Sequence, residues 1–377
     1  MILDRPRRYS DLLYLSSIRS GRSAVGEDEA ISAGYRSEGR VRTAEFAKKA
    51  KIEPFIAHRL MDLGLAREHW ESVHDRYVER NRRIFSLADR IFTEFEMAGL
   101  RDVFLYENFG ALLAGGGCIG CFASGDIDLY ARRADEGSIS AVLAAEGFIP
   151  DKDKRIEGVR AVYQNSEFGE NGFAMNIMWK PLSRAKLPFQ MDLDRCLSEE
   201  GLQIIPGSSV RCPADSLLLY LCLLHISVHS YARTPSLRLY IDIRNMARKP
   251  VDWGRIAAWA DHDGTAVRVS AAMTLANVLL RSALPVERIS RNRRRVVGHA
   301  EHIVRSVLDE RRGMLIENMG RWKVLSTELC STDKNPLVAF FRILLPQREW
   351  IREHYAPKGT ALFKGYVRHW REAVLRS

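Results

Sequence analysis

Two aspartates, Asp126 and Asp128, stand one residue apart in the segment ASGDIDLYA (123–131), with the strand formers Ile127 and Leu129 between and after them. Side chains alternate along a strand, so both carboxylates would leave the same face. Like charges held that close repel unless a proton or a cation intervenes. A Mg²⁺ ion suits such a pair, because it binds through a few carboxylates and keeps positions for water and phosphate; Mn²⁺ is the alternative ion. The competing reading of a bare D-x-D is a polar turn with two solvated aspartates. Further along, QMDLD (190–194) offers Asp192 in a second apolar frame, a candidate third carboxylate on a later strand. Ahead of the pair lie Gly110 and the run Gly115 to Gly117, where a backbone free of Cβ atoms can approach phosphate oxygens and donate N–H groups. A glycine loop, a D-x-D strand and a later carboxylate make a layout for metal-assisted phosphoryl transfer.

The elements that must position these residues follow from periodicity. Residues 1–100 read mostly as helix, with apolar residues at three-to-four spacing over 43–65 and 81–100 and a polar, glycine-containing loop at 26–40. Residues 101–211 change character: strand patterns at 102–107, 126–131, 159–165, 173–180 and 189–195, and an amphipathic helix over 137–148. From 212 to 377 the chain turns helical again, with Pro213 at a helix start, further helices over 237–248, 252–264 and 266–282, and C-terminal helices broken at Pro346 and Pro357. The expected class is α+β, a small mixed sheet flanked by N-terminal and C-terminal helical regions. No internal repeat and no low-complexity tract is present.

Composition narrows the functional classes. At 377 residues the chain is long enough for two or three domains. A net charge of +10 favours polyanionic partners, or is simply a solvated basic surface. No stretch approaches the apolar length of a membrane span, and the N-terminus lacks a signal-peptide pattern, so a cytoplasmic protein without a membrane partner is expected. Cys118 and Cys121 form a C-x-x-C, but no second cysteine pair accompanies it; ordinary reduced cysteines are the expectation, a redox role the lesser one.

The ordered set NFGALL (108–113), GDIDLYA (125–131), MDLDR (191–195), LLYLCLLHISVH (218–229), LRLYIDI (237–243) and DW (252–253) resembles a family of uncharacterised bacterial nucleotidyltransferases, within the superfamily that includes DNA polymerase β. The resemblance covers most of the chain from about residue 43 and implies a nucleotidyltransferase core over 101–211. It implies metal ligation by Asp126, Asp128 and Asp192, with Asp192 also helping to deprotonate the attacking hydroxyl. It assigns nucleotide contacts to Gly110, Ala111, Ser124 and Gly125. The implied reaction takes a nucleoside triphosphate and an acceptor hydroxyl or phosphate to NMP–acceptor and pyrophosphate, with a small molecule or peptide as the first candidate acceptor. Toxin-like modification of tRNA or protein is an alternative, with nucleic acid the less favoured partner; an inactive relative serving as a binding module is another. Three family positions differ here: Phe109 stands in place of a lysine, CFAS (121–124) in place of a segment carrying arginine, and Asp194 in place of a histidine. His225 and His229, four apart on a helix, are expected to turn a polar edge toward the catalytic region, with Asp242 of the next helix as partner. A nucleotide or acceptor contact is the second reading of that pair, and zinc the third.

Overall fold

The computed structural model describes residues 47–48, 52–62, 64, 68–106, 108–115, 117–123, 125–152, 155, 160–165, 173–179, 191–229, 231, 236–280, 282–290, 294–309, 314–315, 326–327, 329–331, 341, 345, 348, 351–352 and 361–371. Ser124, the 26–40 loop and most of the segment around Pro346 and Pro357 lie outside these residues.

The chain begins with α1 (Glu53–Asp62) and the long α2 (Glu68–Met97). Acidic Glu68 and Glu71 in the first turn of α2 complement its dipole. Trp70, Val73, Ile84, Leu87, Ala88, Ile91, Phe92 and Phe95 form its buried stripe. Two polar residues, His74 and Asn81, interrupt that stripe and are buried with it.

The five-stranded sheet has the order β1-β2-β5-β4-β3. β1 (Phe104–Leu105) runs antiparallel to β2 (Asp126–Tyr130), and β2 runs parallel to β5 (Phe173–Met178). β4 (Arg160–Asn165) and the edge strand β3 (Ile149–Pro150) complete it in antiparallel pairs. The parallel pairing needs a crossover, and α4 (Glu136–Ala145) lies in it. Between β1 and β2 come α3 (Asn108–Ala114) and a 3₁₀ turn, Ile119–Cys121. Alternation is clean on β2 and β5: Ile127, Leu129, Phe173, Met175 and Ile177 enter the core, while Asp126, Asp128, Tyr130 and Asn176 share the half-buried opposite face.

Of the strand expected over 189–195, the described residues 191–195 are instead a capped helix start. Met191 and Asp192 are irregular, and α5 (Leu193–Glu200) begins one residue on. Asp192 is its N-cap, accepting a hydrogen bond from the Arg195 amide at 3.1 Å. Four alternating residues satisfied the strand pattern, but Leu193, Cys196 and Leu197 recur at helical spacing and Asp is among the best N-caps. A short hairpin, β6 (Leu202–Ile204) and β7 (Arg211–Pro213), leads into the helical region.

There α6 (Asp215–Val228) is buried nearly all round, enclosed by α7 (Ser236–Met246), α8 (Trp253–Asp263) and α9 (Ala266–Leu280). A helix apolar on every side belongs at the centre of a bundle. Its Tyr220 hydroxyl donates to Asp263 Oδ2 at 2.8 Å, and Asp263 Oδ1 accepts the Asp192 amide at 3.3 Å, which ties the start of α5 to the end of α8. α10 (Val286–Ser290), α11 (Arg294–Val307), the small hairpin β8 (Leu308–Asp309) and β9 (Met314–Leu315), and α12 (Leu362–Trp370) follow. The buried apolar residues from Ala47 to Val307 form one contiguous cluster, so sheet and helices share a core. Among the described residues no helix is long and apolar enough to cross a membrane.

Candidate functional site

Asp126 and Asp128 do leave the same face of β2, and the residue opposite Asp128 on the parallel neighbour β5 is Asn176. Its Nδ2 donates to Asp126 Oδ2 at 3.0 Å and to Asp128 Oδ1 at 2.9 Å. One amide group therefore answers both carboxylates. It offsets their mutual repulsion and turns them toward a single point. Hydrogen bonds to charged acceptors are the stronger kind, so the amide also fixes both rotamers. Sequence reading assigned FAMNIM to a strand but gave Asn176 no part in the site. The signal was there: a single amide among the large apolar residues of a strand, at an even position and so on the face opposite the buried Met175 and Ile177.

The Asp192 carboxylate caps α5, and Asp126, Asp128 and Asp192 form no group whose oxygens all lie within 4.8 Å of one another. Asp126 and Asp128 share the Asn176 amide.

Of the two places expected for a glycine loop, Gly110 lies inside α3, whereas Gly115 and Gly117 follow its end. A Cβ at Gly110 would stand 3.4 Å from both Leu105 Cβ and the Leu105 carbonyl oxygen and 3.6 Å from Cys212, ordinary contact where α3 packs on β1 and β7. Ala111 is buried in the same helix. The amides of Gly115 and Gly117 donate to the carbonyls of Ala111 and Leu112 at 2.9 and 3.0 Å, closing the C-terminus of α3. Gly125 is exposed; its carbonyl accepts from the Ala174 amide at 3.2 Å, extending the β2–β5 ladder by one bond. Phe109, where the resemblance leads one to expect lysine, is a core residue packed on Phe122 with ring centroids 4.6 Å apart.

Continuing along the same face of β2, Tyr130 opens onto a cleft of about 420 Å³ that it lines with Asp102, Arg132, Asp194, Leu197 and Ser198 among others. That is the volume of a small-ligand site. Arg132 pairs with Asp102 at 2.9 Å. Burial, with Asp194 beside it, pushes the Tyr130 phenol up, so it stays a neutral hydroxyl.

His225 and His229 lie at the end of α6 with rings 4.6 Å apart. Asp242 on α7 is buried, 3.8 Å from Arg238. Burial raises its carboxyl to about 7, against the pull of Arg238 and His225. The Arg238–Asp242 pair at i,i+4 spacing is buried.

The D-x-D strand lies in a small mixed sheet with helices before and after it in the chain, an α+β arrangement. Residues 41–281 match the family described as uncharacterised nucleotidyltransferase, and the chain belongs to it. No curated protein and no solved structure matches the chain.

Proposed function

We propose that the chain transfers an NMP group from a nucleoside triphosphate to an acceptor hydroxyl or phosphate, with Asp126 and Asp128 holding the Mg²⁺ or Mn²⁺ that accompanies the nucleotide. The observation that carries this is the convergence of both carboxylates on one point, occupied by the Asn176 amide. Two carboxylate oxygens drawn to one hydrogen-bond donor suit one small hard cation in its place. A divalent ion bound there supplies charge neutralisation on the phosphates.

The chain's own part is positioning. Asp126 and Asp128 hold the ion on a rigid strand, and Asn176 keeps their oxygens convergent. When the amide turns over, Asn176 offers Oδ1 as a neutral third oxygen. The cleft beside Tyr130 is the proposed seat of the acceptor or the nucleoside, with the Tyr130 hydroxyl and Arg132 as its polar contacts. Asp192 is left out of this scheme because its carboxylate serves the α5 cap.

Incubation of the purified chain with each α-labelled NTP, Mg²⁺ or Mn²⁺, and separate pools of small molecules, tRNA and protein tests the reading. Label should move to one pool and stop moving in the Asp126→Asn/Asp128→Asn variant. Transfer that survives in the double variant would refute the site. A specific observation also favours a second reading: Asn176 brings no third negative charge to the pair, which fits a protein that binds nucleotide without transferring it. That reading predicts calorimetric binding of NTP that depends on Asp126 and Asp128, with no labelled product from any pool.

A further inference from the structure

The turn that feeds β2 holds a second cluster of ligating side chains. Cys118 and Cys121 close it, the Cys121 amide donating to the Cys118 carbonyl at 2.8 Å around the 3₁₀ turn Ile119–Cys121. His58 comes to it from α1 and His74 from α2. One ligand atom each from His58, Cys118 and Cys121 lies within 4.8 Å of the other two, the one such trio among the described residues. His74 Nε2 stands 3.3 Å from Cys118 Sγ, and the two imidazoles face each other with centroids 5.3 Å apart and planes inclined by 22°. Metal–sulfur bonds near 2.3 Å and metal–nitrogen bonds near 2.0–2.1 Å, set at tetrahedral angles, need N···S separations of about 3.5 Å. The His74–Cys118 separation is already close to that.

The surroundings are built to bring these groups together. Asn81 is fully buried and donates to the Ile119 and Phe122 carbonyls at 2.7 and 2.9 Å, clamping both sides of the turn onto α2. At Gly120 a Cβ would fall 2.7 Å from Val78 Cγ2 and 2.8 Å from His74 Nε2. Only glycine lets the turn press so closely on the histidine. Each ring also has a carboxylate beside a nitrogen: Asp62 is 3.7 Å from His58 Nε2, and Asp75 is 3.8 Å from His74 Nδ1. Metal-bound imidazoles commonly have such outer partners.

We propose that His58, His74, Cys118 and Cys121 form a structural zinc site that pins α1 and α2 to the turn leading into the Asp126 strand. Two thiolates and two imidazoles suit zinc, and four protein ligands leave no open position for catalysis. The C-x-x-C that looked incomplete in the sequence is completed by histidines 44 and more residues away.

The test uses the full chain, purified under reducing conditions from zinc-supplemented medium. Mass-spectrometric metal analysis should find about one zinc per chain. Replacement by Co²⁺ should give thiolate-to-cobalt charge-transfer bands and intense tetrahedral d–d bands. Both signals should be lost in Cys118→Ser/Cys121→Ser and zinc retention should fall in His74→Ala, while Asp126→Asn/Asp128→Asn keeps the metal whatever becomes of nucleotide transfer. Because the cobalt spectrum is read on the wild-type chain, a variant that fails to fold leaves the proposal testable. Zinc-free protein that gives no charge-transfer band on adding Co²⁺, an octahedral cobalt spectrum, or a Cys118–Cys121 disulfide in the reduced preparation would each overturn it.

Discussion

Asn176→Asp replaces the donor between two carboxylates by a third acceptor, and the consequence can be worked from the distances. The wild-type amide makes two hydrogen bonds, at 3.0 and 2.9 Å, to groups that are half-buried. Hydrogen bonds to charged partners contribute roughly 1.5–3 kcal/mol each when buried, and partial exposure lowers that to about 1 kcal/mol each. Their loss costs about 2 kcal/mol. A third carboxylate adds repulsion of a further 1 kcal/mol or so at the high effective dielectric of a half-exposed site. In EDTA the variant should therefore be destabilised by about 3 kcal/mol. A divalent ion offsets most of this loss, since three carboxylates bind it more tightly than two, and saturation at a hundredfold over Kd returns about 2.7 kcal/mol. Urea denaturation with EDTA and with excess Mg²⁺ or Mn²⁺ measures both quantities. The variant should gain markedly more from the ion than the wild type. Equal stability in EDTA, or an equal gain from the ion, would show that Asn176 does not sit between the carboxylates as described.

Other outcomes follow from the same geometry. Asp192→Asn keeps a good N-cap while removing the charge, so stability should stay within about 0.5 kcal/mol and any nucleotide transfer within about twofold; a collapse of transfer at unchanged stability would return Asp192 to the catalytic set. Asn81→Ala leaves the Ile119 and Phe122 carbonyls without their buried donor and should cost about 2 kcal/mol in urea denaturation. Asp242 has a folded-state value of about 7 against 3.8 unfolded, so the folded chain binds more protons between those values. Its contribution to stability is greatest below about pH 4, falls as pH rises toward 7 and is level above, by roughly 4 kcal/mol at most. Asp242→Asn should flatten that slope in denaturation midpoints taken from pH 5 to 8, and parallel slopes would count against it.

The strands at 126–131 and 173–180 were legible because each buries one face and alternation is the direct signature of that. The helices after Pro213 were legible because their apolar runs are long. Residues 189–195 were not, because M-D-L-D fits a strand and a capped helix start equally, and the choice is made by tertiary partners: Asp263 receives the Asp192 amide, and the α5 amides take its carboxylate. Gly110 was misplaced for a similar reason. A glycine in a phosphate loop and one inside a helix packed on Leu105 are the same letter, and only the neighbours distinguish them.

The candidate sites show the deeper limit. Asp126 and Asp128 could be found together because strand geometry relates residues two apart. Asn176 meets them only through the parallel β2–β5 register, which a crossover of about forty residues sets and no local pattern encodes. His58, His74 and the C-x-x-C turn meet only because Asn81 and Gly120 hold the turn against α2. In both cases the residues that enforce the meeting are uncharged and carry no reactive group. An amide or a glycine inside an otherwise apolar stripe is therefore a better pointer to a built site than one more charged residue: burying it costs stability unless something nearby requires it. The same criterion separates the two aspartate sets here. Asp126 and Asp128 have such a partner in Asn176, whereas Asp192 is held by the first-turn amide of its own helix, an arrangement any N-cap aspartate makes.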